Sequence, residues 1–126
     1  MKILVVDDNH DSADSLCTLL QAHGHDTASA YDGRHALETM RTFEPNAVVL
    51  DIDMPVLDGY GAARAIRLTP SQQLPVLLAL TASGGHEARR QAFDAGFDAH
   101  LTKPATVDVI LGLLDKLRKE RAPPRA

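Results

Sequence analysis

Three short apolar runs, each closed by a polar residue, set the rhythm of this chain. Ile3-Leu4-Val5-Val6 ends in acids, Ala47-Val48-Val49-Leu50 ends at Asp51, and Val76-Leu77-Leu78-Ala79-Leu80 ends at Thr81. Unbroken β-branched and aliphatic runs of this length suit strands buried on both faces of a parallel sheet; half-buried strands alternate instead. Asp26 to Ala30 and Ala99 to Thr102, the latter followed by Lys103, read as two weaker strands. Helical spacing fills the intervals. Ala13, Leu16, Cys17 and Leu20 recur at i, i+3, i+4 and i+7, with Asp11 or Ser12 as the expected cap and Gly24 as the stop. Ala36, Leu37, Met40 and Phe43 repeat the pattern until Pro45 prevents continuation. Ala62, Ala63, Ile66 and Arg67 predict a shorter helix closed by Pro70. Ala88, Ala92, Phe93 and Ala95 predict a fourth, stopped by Gly96, and Val107, Ile110, Leu111 and Leu114 a fifth, opened by Thr106. From Arg118 onward, with Pro123-Pro124, the chain reads as a frayed end, so that 1–121 form one domain and 122–126 a tail or linker stub. Alternation of strand and helix with short connections predicts a doubly wound α/β fold, a parallel sheet with helices on both faces.

Composition narrows the function classes without naming one. A chain of 126 residues buries roughly two-thirds of its unfolded surface on folding, enough for one core. With 44% hydrophobic and 24% charged residues it is not a disordered sequence. Three Phe, two Tyr and no Trp leave little for a base-stacking platform, and a net charge of -4 is a poor match for a polyanion. Direct nucleic-acid binding is therefore not expected. Cys17 is the lone cysteine, so no internal disulfide forms. No apolar run reaches membrane-spanning length, and a cytoplasmic location without membrane association is expected.

The chemistry collects where the apolar runs end. In a doubly wound sheet, ligands bind beyond the carboxyl ends of the strands, near the point where strand order reverses. Asp7, Asp8, Asp51, Asp53, Thr81 and Lys103 all fall at such ends, on one rim. Carboxylates about 4 Å apart repel by several kcal/mol per pair at an effective dielectric near 20. They stay ionised together only around a cation, and hard oxygen donors in a small hydrated site suit Mg²⁺. An ammonium and a hydroxyl add what a tetrahedral oxyanion requires, and a carboxylate so placed can attack phosphorus to form an acyl phosphate. Taken singly, Thr81 reads as a strand-ending residue and Lys103 as a solvated loop residue; their joint placement with the acids favours function.

Val5-Val6-Asp7-Asp8-Asn9, Asp51-Ile52-Asp53-Met54-Pro55 with Asp58-Gly59, Leu80-Thr81-Ala82 and Lys103-Pro104 together resemble the receiver domain of two-component response regulators. The resemblance runs from about Lys2 to Leu117, and is chemotaxis-regulator-like, with a stretch at Gly96 to Leu101 similar to receivers of hybrid histidine kinases. It implies a flavodoxin-like five-stranded sheet of order 2-1-3-4-5 with five helices. It implies Asp51 as phosphoacceptor, Asp7, Asp8 and Asp51 with the Asp53 main-chain carbonyl as Mg²⁺ ligands, Thr81 as switch hydroxyl, Lys103 as partner of the phosphoryl oxygens, and a cis Lys103-Pro104 bond. The implied partners are a histidine kinase or phosphotransfer protein and a downstream protein target, and the role is regulatory rather than enzymatic beyond self-phosphorylation and self-dephosphorylation. His100 stands where the family usually has Tyr or Phe, and it is expected to act as a switch with a pH-dependent bias because imidazole titrates near neutrality. Asp53 and Ser83 occupy positions that influence phosphoryl lifetime in the family.

Two other functions compete. A haloacid-dehalogenase-like phosphatase also uses Asp-x-Asp after a buried strand, but Pro55 and the upstream position of Asp7 and Asp8 depart from that pattern. A degenerate receiver that only docks to a protein is the other, opposed by the complete set of Asp7, Asp8, Asp51, Thr81 and Lys103. Because Met1 abuts the first strand, a stand-alone protein is mildly preferred over a receiver cut from a larger one.

Overall fold

The strand-forming runs alternate in what they bury, and this organises the molecule into three layers. The computed structural model describes residues 1–52, 59–68, 75–82 and 85–121. Strands β1 (Lys2–Val6), β2 (Asp26–Ala30), β3 (Ala47–Asp51), β4 (Val76–Thr81) and β5 (Ala99–Thr102) form one parallel sheet in the order β2-β1-β3-β4-β5. Helices α1 (His10–Ala22), α2 (Gly33–Phe43), α3 (Gly59–Leu68), α4 (His86–Ala95) and α5 (Val107–Arg121) supply the crossovers. The expected doubly wound fold and its strand order are what the structure shows.

Leu4, Val6, Val48, Leu50, Leu77 and Ala79 pack toward α2, α3 and α4. Their neighbours Ile3, Val5, Ala47, Val49, Val76 and Leu78 pack toward α1 and α5. Both sets are apolar, so the period-two alternation of a strand is invisible in the sequence and the runs look continuous. The edge strands β2 and β5 are only partly buried, which is why they carry Asp, Thr, Ser and His and give weaker signals.

Several local expectations are corrected. The cap of α1 is Asn9, in an extended conformation with its side-chain oxygen accepting from Ser12 N at 3.0 Å, rather than Asp11 or Ser12. Asn9 suits the role because its carbonyl reaches the N3 amide while its backbone turns out of the strand. Phe93 is 64% exposed, and only Ala92 and Ala95 of the α4 pattern reach the core. α3 begins at Gly59, ahead of the apolar residues that signalled it, and α5 continues through Arg121 instead of fraying from Arg118. Gly24 and Gly96 follow or cap their helices at φ 88° and 105°, as helix stops require. Pro70 and residues 122–126 lie outside the described residues.

Candidate functional site

Sheet register places the rim residues before any side chain is considered. Strand order reverses at β1, which pairs with β2 on one side and β3 on the other. Val6 pairs with Leu50, so Asp7 and Asp51 emerge side by side at that switch point. Asp51 pairs with Leu80 and Thr81 with Thr102, which brings Thr81 and then Lys103 to the same level. Main-chain bonds from Asp7 N to Ala30 O (3.1 Å), Ile52 N to Leu80 O (3.2 Å) and Lys103 N to Thr81 O (2.8 Å) extend the pairing to the edge of the rim. The Lys103-Pro104 peptide bond is cis.

Side-chain geometry concentrates charge there. Asp51 is 4% exposed, and Thr81 beside it is equally enclosed. Lys103 Nζ donates to Asp51 Oδ2 at 2.9 Å. Asp7 and Asp8 stand on the turn into α1, Asp8 exposed and Asp7 half-buried with Oδ1 accepting from Asn9 N at 3.0 Å. Carboxylate oxygens of Asp7, Asp8 and Asp51 all lie within 4.8 Å of one another. Burial pushes the Asp7 carboxyl above its ordinary pKa, and the nearby Asp51 pushes the same way, while the Asn9 amide and Lys103 pull it down. A cation among the three groups relieves that strain, and an all-oxygen donor set fits a small hard ion such as Mg²⁺.

His100 pairs with Ala79 in the sheet and is half-buried; its neighbours Ala99 and Leu101 pack toward α1 and α5, so alternation puts His100 on the α4 side. Asp53, Met54, Pro55, Asp58 and Ser83 lie outside the described residues. The structure thus brings together five of the six rim residues expected from sequence. Beside them is a contact the sequence reading missed: the His10 ring at the start of α1 stacks on Tyr31, directly after β2, with centroids 3.7 Å apart. Only the fold joins these two residues, and no spacing rule connects them.

Comparisons with known proteins agree with this fold. A family model described as the response regulator receiver domain matches residues 3–115. The chain is similar to the response regulator MprA of Mycolicibacterium vanbaalenii, 38% identical over 123 residues that cover 98% of this chain and 52% of that protein. MprA of Mycobacterium avium is 37% identical over 123 residues, 98% of this chain and 53% of that protein. The chain therefore spans about half the length of these curated relatives. Among solved structures it resembles the receiver domain of the Francisella response regulator 1452, with TM-score 0.83, 30% identity and coverage of 96% of this chain and 98% of that one. The Vibrio cholerae chemotaxis protein CheY4 gives TM-score 0.86 at 27% identity, covering 92% of this chain and 97% of that one.

Proposed function

Because the chain belongs to the response regulator receiver domain family, we propose that it is a phosphoryl-accepting switch, with Asp51 taking the phosphoryl group from a phosphohistidine of a histidine kinase or phosphotransfer protein. The observation that carries this reading is the buried Asp51 carboxylate, paired with Lys103 at 2.9 Å and within 4.8 Å of the Asp7 and Asp8 carboxylates. In the transfer, an Asp51 oxygen attacks phosphorus, the P–N bond of the donor breaks, and the departing imidazole takes a proton from solvent; an acyl phosphate remains on Asp51. Lys103 moves its ion pair from the carboxylate to the phosphoryl oxygens, and the Thr81 hydroxyl donates to another of them. Asp7, Asp8 and Asp51, with the Asp53 main-chain carbonyl, would hold Mg²⁺, which supplies charge neutralisation for the phosphoryl oxygens.

The new charge draws the segments after β4 and β5 inward. His100, half-buried on the α4 side of β5, serves as the switch side chain, and the face built from α4, β5 and α5 meets a downstream protein. Catalysis is confined to the domain's own phosphorylation and dephosphorylation, and its setting is the cytoplasm. No helix among the described residues is long and apolar enough to cross a membrane.

Intact mass after incubation with acetyl phosphate and Mg²⁺ tests the assignment. One phosphoryl adduct is expected on the wild type, and none on Asp51→Asn or when Mg²⁺ is chelated. If neither an adduct nor beryllofluoride binding is found, the switch reading fails and a protein-docking module replaces it.

A further inference from the structure

Tyr31 lies outside the rim, yet it is tied at several points to the turn that carries Asp7 and Asp8. Its ring stacks on His10, the first residue of α1, at 3.7 Å between centroids and 18° between planes. One turn further along the same helix, its hydroxyl donates to Asp14 Oδ1 at 2.8 Å, and Ser29 Oγ donates to the Tyr31 oxygen at 3.3 Å. His10 and Asp14 are four residues apart, hence on one face of α1, so a single rigid ring spans the first turn of the helix. The main chain of Tyr31 is held as well: its N–H donates to His35 Nδ1 at 3.3 Å, and the preceding carbonyl, Ala30 O, accepts from Asp7 N.

The first turn of α1 in turn holds Asp7, with Asp8 between Asp7 and the cap residue Asn9. Asn9 caps the helix through Ser12 N, and its own N–H donates to Asp7 Oδ1 at 3.0 Å. A shift of the helix start moves Asn9 and with it the Asp7 carboxylate. We propose that Tyr31 is a positioning residue for the metal-ligating acids, clamping the start of α1 to the end of β2 so that Asp7 and Asp8 stand ready beside Asp51. This rests on the phosphoacceptor reading and deepens it. Groups that orient metal ligands without touching the metal commonly change its affinity when removed.

The test uses Tyr31→Ala, Tyr31→Phe and, as a control for lost stability alone, Leu117→Ala, which removes core packing on α5 far from the rim. Amide hydrogen exchange of metal-free protein and calorimetric titration with MgCl₂ are read together. Tyr31→Ala is expected to speed exchange at the Asn9 amide and to raise the Mg²⁺ Kd roughly ten-fold. Tyr31→Phe, which keeps the stack and loses the Asp14 bond, gives a smaller rise, and Leu117→Ala leaves both near wild type. If Tyr31→Ala does not fold, Tyr31→Phe decides: a raised Kd supports the clamp and a wild-type Kd overturns it. A Tyr31→Ala Kd within about two-fold of the Leu117→Ala value overturns the clamp and leaves the phosphoacceptor reading intact. Wild-type protein that binds no Mg²⁺ overturns both.

Discussion

Burying a carboxylate is costly unless a cation accompanies it, and Asp51, 4% exposed, has Lys103 Nζ at 2.9 Å. Among the described residues no cation lies within salt-bridge distance of Asp7, whose Oδ1 accepts from the Asn9 amide instead. Burial, followed by the repulsion of Asp51, raises its pKa above the ordinary 3.8. The folded protein therefore keeps the Asp7 proton to a higher pH than the unfolded chain does. Stability linked to this group is full below pH 3.8 and is lost as pH rises through the raised value. At neutral pH and without Mg²⁺, Asp7→Asn is expected to be more stable than wild type, because the amide oxygen still accepts from Asn9 N and no charge is buried. Urea unfolding across pH checks this: the advantage narrows as pH falls toward 3.8. An advantage that persists unchanged at low pH, or none at neutral pH, contradicts the assignment.

Between elements, one arginine links α3 to the C-terminal end of α4 and to the segments before β4 and β5. Arg67, near the end of α3, donates from Nε to Gly96 O at 2.9 Å, from one terminal nitrogen to Pro75 O at 2.9 Å and from the other to Asp98 Oδ2 at 2.8 Å. Asp98 Oδ2 also accepts from Leu77 N, so α3, β4 and the turn before β5 meet at one ion pair. A Cβ at Gly96 would lie 2.8 Å from Arg67 Cγ, whereas at Gly24 it would meet nothing within 4 Å. Both glycines have positive φ. Gly24→Ala is therefore expected to cost about 1 kcal/mol, the left-handed strain alone, and Gly96→Ala about 2–3 kcal/mol because Arg67 must also give way. Denaturant unfolding of the two variants compares them directly, and equal costs would show that Arg67 swings aside freely. The two glycines also show what sequence can and cannot reveal. Helix stops at Gly24, Pro45 and Gly96 and the apolar runs of β1, β3 and β4 are local signals, and they located the elements and the rim. Arg67 reads from sequence only as a helix position, since its partners Gly96 and Asp98 are distant in sequence. Asn9 lost the cap to its neighbours because the exact end of a strand is not written in a propensity. Spacing predicts Phe93 inward, but a ten-residue helix places few apolar residues, and spacing alone does not say which of them the sheet covers.

At the scale of the molecule, the site sits where two cores meet. One sheet face packs on α2, α3 and α4 and the other on α1 and α5, and Asp51 ends the strand buried by both. The carboxylates are assembled only by the pairing of β1 with β3, so the unfolded chain does not present them as a set. A ligand that binds the folded form alone stabilises it by mass action, about 2.7 kcal/mol at a hundred times its Kd. Mg²⁺ is accordingly expected to raise the melting temperature of the whole domain in steps with log concentration, by several degrees once saturation is well exceeded. Calcium-free buffers with chelator at the start of the titration set the baseline. Asp51→Asn removes one of the three charged donors and should flatten the response, while Gly24→Ala, at the opposite end of the sheet, should lower the curve without changing its slope. A wild-type melting temperature indifferent to Mg²⁺ would mean that the three carboxylates share their rim without a metal, with Lys103 as their principal counter-charge.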